Sequence, residues 1–219
     1  MFKTENCTGK ISQQDKRIYF IITSLIEFLD AIYSELQDLG DAGEIALNNV
    51  WPNCHGLCRA LRIHLNDLVE VVDGSLIGAR EYYVVSDLKD EVIYEDIKFG
   101  IDHSWLKLRN GAVVDPFPAG VYATSPLLFP PFGEYADIFP ERVYMKGENC
   151  PYAKTEVMWN LAQNIARLLS YFPATYEELS EKLKAKEPIS SLVNPEAFFS
   201  AVSKAVEYSL TGNLCQIPR

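Results

Sequence analysis

The chain has 219 residues, of which 48% are hydrophobic, and this is enough for one sizeable core. Its formal net charge of -10 at pH 7 argues against nucleic acid or an anionic membrane as a partner, because both are bound mainly through clusters of lysine and arginine. A neutral or basic partner surface fits this charge better.

Cysteine usage and the start of the chain bear on the compartment. The five cysteines are odd in number, and the first residues show no apolar core followed by a small-residue cleavage site. The most apolar early run, from Ile18 to Leu29, is too short to cross a bilayer. We therefore expect free thiols and a cytoplasmic protein, with delivery to another compartment left open.

The N-terminal third predicts helices. Residues 12–39 carry apolar side chains at helical spacing, which indicates one long amphipathic helix that stops at Leu39-Gly40. A second helical pattern lies between residues 43 and 66 and begins after Asn53. Because asparagine is a good N-cap, this places Cys54 in the first turn of that helix.

The middle of the chain predicts a sheet, and the end predicts more helices. Between residues 68 and 145 the connections between β-branched and aromatic runs are too short for helical crossovers, so the sheet should be antiparallel. The order of helices, sheet and helices predicts an α+β fold. We expect strands at 68–72, 81–85, 92–94, 101–108, 112–115 and 142–145, and later helices at 154–171, 175–186 and 195–210.

Residues 116–140 differ from these elements, since they hold six of the twelve prolines interleaved with aromatic residues. Proline disfavours regular hydrogen-bonded structure, whereas aromatic side chains need burial or a ligand. We expect a rigid loop packed over the sheet. The functional interpretation is a wall of a substrate cleft, because the loop directly follows Asp115.

Three residues suggest a catalytic site: Cys54, His103 and Asp115. A thiol becomes a good nucleophile when an imidazole takes its proton, and a carboxylate can hold that imidazole in the right tautomer. A thiol in the first turn of a helix also has its pKa lowered by the helix dipole and the unpaired N–H groups, which can serve as an oxyanion hole. Core filling is the alternative role for Cys54.

Other residues are candidates for supporting or competing roles. Asn48 and Asn53 are candidate oxyanion donors, and Trp105 could shield the His103–Asp115 hydrogen bond from water or simply fill the core. Cys58 is the alternative nucleophile, one helical turn beyond Cys54. His55 should project about 100° away from Cys54 on a helix, so it is badly placed as a base.

A zinc site is a weaker alternative. It would use Cys54, His55, Cys58 and His64, but their spacing lacks the paired Cys-x-x-Cys elements that make such predictions strong. His64 is otherwise expected at the surface. We expect no metal and no cofactor.

The register of one hairpin decides whether His103 and Asp115 can meet. A two-residue turn at Asn110-Gly111 would place them on opposite faces. A three-residue loop with a left-handed Gly111 pairs residue 108 with residue 112, and this places Asp115 opposite Trp105 and diagonal to His103 on one face. The catalytic hypothesis therefore requires the three-residue loop.

These stretches resemble the papain-like cysteine superfamily, and within it the transglutaminase-like branch. The matching segments are Asn53-Cys54-His55-Gly56-Leu57, His103-Ser104-Trp105-Leu106 and Gly111 to Pro116, and the resemblance spans residues 48–118. It implies a thiolate, an imidazolium and an orienting aspartate that act on an amide or another acyl group. The aromatic residue that often follows the nucleophile in this superfamily is replaced by His55.

The sequence thus predicts a single papain-like domain over residues 1–219, with an N-terminal helical region at 1–42, a catalytic core at 43–146 and a C-terminal helical region at 147–219. The expected function is acyl transfer through a Cys54 thioester, as a hydrolase, glutamine deamidase or acyltransferase, on a protein or peptide substrate. The alternative is a catalytically inactive module of the same fold that binds a protein partner through residues 116–140.

Overall fold

The structure is a computed structural model. It describes residues 10–85, 92–118, 126–131, 135–139, 142–147, 151–172, 178, 181 and 195–211.

The first helix, α1 (Gln13–Asp38), has a side chain cap at its start and an apolar stripe along its length. Ser12 Oγ accepts a hydrogen bond from Asp15 N, and Asp15 Oδ2 accepts one from Ser12 N, so the two residues form a capping box. This confirms the helix predicted at 12–39. The stripe supplies the largest share of the buried core: Ile18, Ile21, Ile22, Leu25, Phe28, Leu29, Ile32, Tyr33 and Leu36.

Two helices follow where the sequence predicted one. They are α2 (Asp41–Val50) and α3 (Cys54–Leu65), and a single 3₁₀ turn at Asn66–Leu68 leads into the sheet. The break falls at residues 51–53, because a proline removes a backbone donor and disfavours helical geometry in the residue before it. The α3 helix starts at Cys54, as the Asn53 cap predicted.

The sheet is antiparallel, as predicted, but its two central strands are longer than expected. β1 (Val69–Val85) pairs with β2 (Val92–Leu108) over their full lengths, whereas the sequence divided each of them in two. Gly74 and Gly78, which fall between the two predicted runs, lie inside β1. The remaining strands are β3 (Val113–Asp115), β4 (Leu127–Phe129), β5 (Tyr135–Phe139) and β6 (Arg142–Lys146), and the order across the sheet is β4-β3-β2-β1-β6-β5.

The proline-rich segment 116–140 contains regular structure, which corrects the expectation of a loop alone. β4 and β5 lie at opposite edges of the sheet. The three residues of β4 lie between Pro126 and Pro130, so no proline interrupts their ladder with β3. Proline is tolerated beside an edge strand, because there it removes no hydrogen bond from the ladder.

Two C-terminal helices complete the described part of the chain. α4 (Glu156–Leu169) is capped by Thr155, and α5 (Pro195–Thr211) begins with proline, as predicted. The helix expected at 175–186, with its Thr175 cap, falls almost entirely outside the described residues, as does the Asn194 cap. None of the helices in the described ranges is long and apolar enough to cross a membrane.

The helices pack on the sheet around one apolar core, so the α+β prediction is confirmed. α3 contacts β1 and β2 on one side and α4 on another, while α1 contacts α2, α4 and α5. The core joins the apolar side of α1 to residues of α3 and of the central strands, among them Leu61, Leu106 and Val114. The start of α3 is therefore held firmly against the middle of the sheet.

Candidate active site

The candidate nucleophile Cys54 is the first residue of α3. Asn53 fixes this helix end, since its Oδ1 accepts a hydrogen bond from Gly56 N at 2.8 Å and its carbonyl accepts one from Leu57 N at 2.9 Å. The thiol is partly exposed and is not in a disulfide. The Cys54 thiol is thus accessible from solvent and lies at the positive end of the dipole of α3.

His103 and Asp115 form a buried pair. His103 Nε2 donates to Asp115 Oδ2 at 2.7 Å, and both residues are 0% exposed. The other carboxylate oxygen, Oδ1, accepts a hydrogen bond from Phe117 N at 3.0 Å. Because the carboxylate is held at both oxygens, it fixes the ring of His103 in one orientation.

The imidazole of His103 also interacts with the thiol. Burial alone would lower the pKa of His103, but hydrogen bonds to Asp115 and Cys54 and the charges of those groups raise it from 6.5 to about 9. Since Nε2 is bonded to Asp115, the nitrogen left for Cys54 is Nδ1.

The thiol responds in the opposite direction. Burial raises the pKa of Cys54, but hydrogen bonds from His103 and His55 and the charges of both rings outweigh it and lower the pKa from 9.0 to about 6. Between about pH 6 and about pH 9, the favoured state is therefore a Cys54 thiolate beside a His103 imidazolium.

The hairpin between β2 and β3 has the register that the pair requires. Leu108 N donates to Ala112 O at 2.7 Å, and Gly111 N donates to Leu108 O at 2.9 Å, so residues 109–111 form a three-residue loop. Gly111 has a φ of +91°, in the left-handed region. The predicted loop and register are confirmed, and Asp115 lies opposite Trp105.

The same loop is anchored to α1. Asn110 Oδ1 accepts a hydrogen bond from Ala112 N at 3.1 Å, while Asn110 Nδ2 donates to Asp15 Oδ2 at 2.6 Å. Asp15 is itself part of the capping box of α1. The register that aligns His103 with Asp115 is therefore tied to the start of the first helix.

Trp105 lies beside the buried pair. It is 0% exposed, and the centroid of its ring lies 6.0 Å from that of the His103 ring. An apolar ring at this distance keeps water away from the His103–Asp115 hydrogen bond, which is stronger in a medium of low dielectric constant.

Cys58 is a poor nucleophile in this structure. Its side chain is fully buried, and Sγ donates to Ser104 O at 3.2 Å. Burial is the main cause that raises the pKa of the Cys58 thiol well above its ordinary value. Of the two described cysteines, only Cys54 therefore has the exposure and the low pKa of a reactive thiol.

His55 is the residue that sequence reasoning misjudged. The interpretation that it projects away from the thiol is wrong, since His55 hydrogen-bonds to Cys54. His55 is 4% exposed, and its Nδ1 lies 2.7 Å from Ser104 Oγ. The available signal was the short polar side chain of Ser104, next to His103 in the sequence.

The remaining candidates fall elsewhere. Asn48 is exposed on α2, and the amide of Asn53 is used by the helix cap and by a contact of Nδ2 with Met158 Sδ at 3.3 Å. His64 is half-buried rather than at the surface, and burial lowers its pKa. In the described ranges no cluster of His, Cys, Asp and Glu is arranged to hold a metal, so the zinc alternative has no support there.

A cavity of about 270 Å³ lies between α1, the start of α3 and the segment that follows Asp115. Two of its lining residues are close in sequence to the candidate site: Pro52 precedes Cys54 by two residues, and Pro116 follows Asp115 directly. Part of the expected cleft wall at 116–140 thus borders a cavity. The lining residues are Ile26, Leu29, Asp30, Tyr33, Pro52, Leu57, Pro116, Phe117, Pro118 and Pro126.

The cavity is mainly apolar but contains two polar groups. The Tyr33 hydroxyl is buried and has no hydrogen-bond partner among the described residues. Asp30 lies one helical turn away, and burial raises the pKa of its carboxyl. An occupant with an apolar body and a polar end would match this lining.

The functional interpretation of the site rests on its geometry, because comparisons with known proteins found no match. No family model matches the sequence, and neither the curated proteins nor the solved structures contain a match to the chain. What the fold and the site define is a thiol, an imidazole and a carboxylate in series on an α+β scaffold.

Proposed function

We propose that this protein is a cysteine-dependent enzyme with a papain-like, transglutaminase-like fold that attacks an amide-type carbonyl and forms a thioester on Cys54. The observation that carries the proposal is the series Cys54, His103 and Asp115, with the thiol at a helix N-terminus and its pKa lowered to about 6. The order of these residues on a helix and two successive strands also agrees with the family that the sequence resembles.

In the first half of the reaction, the Cys54 thiolate attacks the carbonyl carbon, and the π electrons of the carbonyl move to its oxygen. When the tetrahedral intermediate collapses, the bond from carbon to nitrogen breaks. The His103 imidazolium gives its proton to the departing nitrogen, so ammonia or an amine leaves and a thioester remains. Asp115 stabilises the imidazolium throughout, because its carboxylate stays hydrogen-bonded to Nε2.

In the second half, the acceptor displaces the thiol. A water molecule gives a proton to the neutral His103 ring and adds to the thioester carbonyl. Collapse then breaks the carbon–sulfur bond, releases a carboxylic acid and restores the thiolate. Because water is always available, we place hydrolysis and glutamine deamidation ahead of transfer to an amine.

The developing oxyanion would lie at the start of α3. The N–H of Cys54 is at the first helical position, where no carbonyl four residues earlier in the helix can accept it. This N–H points out of the N-terminal end of α3, which is the positive end of the helix dipole. We assign this N–H as an oxyanion donor in place of Asn48, which is exposed on α2.

The substrate would approach past Trp51. This residue is 52% exposed, lies three positions before Cys54, and its ring centroid is 5.7 Å from that of Tyr33 in the cavity. An exposed indole beside an apolar cavity suits a peptide with an apolar side chain next to the reacting amide. A protein or peptide is accordingly the proposed substrate.

The test is a set of three assays on glutamine-containing peptides. Release of ammonia with neither cleavage nor amine incorporation indicates deamidation, new peptide termini indicate proteolysis, and incorporation of an added amine indicates transfer. Each activity should disappear in Cys54→Ala and persist in Cys58→Ala. If the wild-type thiol also reacts with iodoacetamide only at the pH of an ordinary cysteine, the inactive interaction module becomes the better account.

A further inference from the structure

The Cys54 thiol has a second histidine beside it, and that histidine is held by its own chain of hydrogen bonds. His55 Nδ1 lies 2.7 Å from Ser104 Oγ, and Ser104 Oγ donates to Asp73 Oδ1 at 2.5 Å. Asp73 in turn accepts from Arg59 Nη2 at 3.1 Å and 2.8 Å, one bond to each carboxylate oxygen. Three side chains, from α3, β1 and β2, thus converge behind one imidazole.

The direction of these hydrogen bonds fixes the tautomer of His55. A serine hydroxyl has one proton, and that proton goes to the carboxylate of Asp73, so Ser104 Oγ must accept from His55. Nδ1 of His55 therefore carries a proton, and Nε2 is the nitrogen left for Cys54. This is the same logic by which Asp115 fixes the ring of His103, with Ser104 inserted between ring and carboxylate.

The surroundings fit a functional group better than a filler. His55 and Ser104 are 4% and 0% exposed, and the Arg59–Asp73 ion pair is mostly buried, with side chains 15% and 19% exposed. Burial of four polar groups is costly unless each forms hydrogen bonds. Here the hydrogen bonds link Arg59, Asp73, Ser104 and His55 in a series that ends beside the thiol. Apolar side chains of the same volume would fill this part of the core at lower cost.

We propose that His55 is a second catalytic residue that takes the proton of Cys54 through Nε2 and stabilises the thiolate together with His103. This rests on the proposed function, because it assumes that Cys54 is the nucleophile. The balance involves two protons: the S–H bond of Cys54 breaks and Nε2 of His55 gains that proton, so that the resulting N–H donates to the thiolate. The proton of the His103 imidazolium comes from solvent, because the pKa of His103 is about 9. Ser104, Asp73 and Arg59 are positioning residues for that ring.

The charged and titratable groups that face His55 come from four elements. They are Cys54 and Arg59 on α3, Asp73 on β1, and His103 on β2 with its partner Asp115 on β3. On the side of α4, the start of α3 meets Leu161 and Met158, which are uncharged. A change in thiol reactivity after substitution of His55 therefore reports on this ring and these five groups.

The experiment measures the rate of alkylation of Cys54 by iodoacetamide from pH 4 to pH 10, with the labelled peptide quantified by mass spectrometry. We expect His55→Gln to raise the inflection of the wild-type profile by roughly one pH unit. His103→Ala should raise the inflection too. The inflection should be highest in the His55→Gln/His103→Ala double variant, in which Cys54 should titrate like an ordinary cysteine. His64→Gln, the matched change elsewhere on α3, should leave the profile unchanged.

A second variant keeps the test valid if His55→Gln does not fold. Ser104→Ala retains both imidazoles but removes the acceptor of Nδ1, so it should shift the inflection in the same direction by a smaller amount. Ser24→Ala, a buried serine bonded within α1, is its control. A wild-type inflection near that of free cysteine would overturn the proposed function. A low wild-type inflection that His55→Gln and Ser104→Ala leave unmoved would overturn this inference alone.

Discussion

Asp115 Oδ2 lies 2.7 Å from His103 Nε2, although the pairing of β2 and β3 sets Asp115 opposite Trp105. The contact is diagonal across the hairpin, and it exists because residues 109–111 form a three-residue loop. One residue fewer in that loop would put the two side chains on opposite faces. The length of this loop thus determines whether the imidazole of His103 has a carboxylate partner.

Asp115→Asn tests the electrostatic part of this contact. The amide keeps the size of the side chain but removes its charge, so the pKa of His103 should fall from about 9 toward its ordinary value of 6.5. Turnover should fall on the order of 10²-fold or more, because less imidazolium is present to protonate the leaving nitrogen. The pH–rate profile measures both effects, and Asp67→Asn, at an exposed aspartate, is the control. An unchanged alkaline limb would remove Asp115 from the mechanism.

The proposed function predicts a bell-shaped dependence of kcat/KM on pH for the wild-type protein. Below about pH 6 the Cys54 thiolate gains a proton and activity falls, and above about pH 9 the His103 imidazolium loses its proton and activity falls again. Initial rates with a peptide amide across pH 4.5 to 10 give the two limbs. A single acidic limb without an alkaline one would contradict the role of His103 as the acid.

Gly111→Val tests the loop. Valine disfavours the φ of +91°, and its Cβ would meet Pro131 Cβ at 3.3 Å, so the substitution should cost roughly 1–2 kcal/mol of stability. It should also disturb the His103–Asp115 pair and raise the pKa of the thiol. Gly40→Val is the matched control, since Gly40 has a φ of +63° with nothing near its Cβ position. For Gly111→Val, chemical denaturation should therefore show a loss of stability and thiol alkylation should show a higher pKa of Cys54. For Gly40→Val, the thiol alkylation profile should not change.

Ile26→Trp tests the cavity as the place where the substrate binds. The larger side chain should fill part of the space beside Tyr33, and KM for a peptide with a large apolar side chain should rise roughly tenfold. Alkylation by iodoacetamide should be unaffected, because that small reagent does not need the cavity. Ile63→Trp, on the exposed side of α3, is the control. Equal loss of peptide turnover in both variants would indicate that the cavity does not bind substrate.

Most of the helices and the β2–β3 hairpin could be predicted because local signals determine them. Ser12 and Asn53 cap helices by accepting from nearby backbone N–H groups, and Gly111 supplies the left-handed residue of a short loop. Each of these depends on a few neighbouring residues. The positions of Cys54 and Asp115 followed from them.

Long-range features were harder to predict. β1 and β2 continue through Gly74 and Gly100, because these glycines pair with His103 and Ile77 of the neighbouring strand, and Gly74 also pairs with Lys146 of β6. The contact of His55 with the thiol depends in the same way on Ser104 and Asp73, which come from two strands. Helical projection alone placed His55 away from Cys54, since it ignored the hydrogen bonds that turn the ring.

The most direct test of the central claim is the mass of the intact protein after reaction with an electrophilic peptide probe that forms a stable thioester analogue. The account predicts one added probe in the wild type and in Cys58→Ala, and none in Cys54→Ala, because of the two cysteines that the structure describes, Cys54 at the start of α3 is the accessible one with a lowered pKa. Labelling that persists in Cys54→Ala and disappears in Cys58→Ala would contradict it.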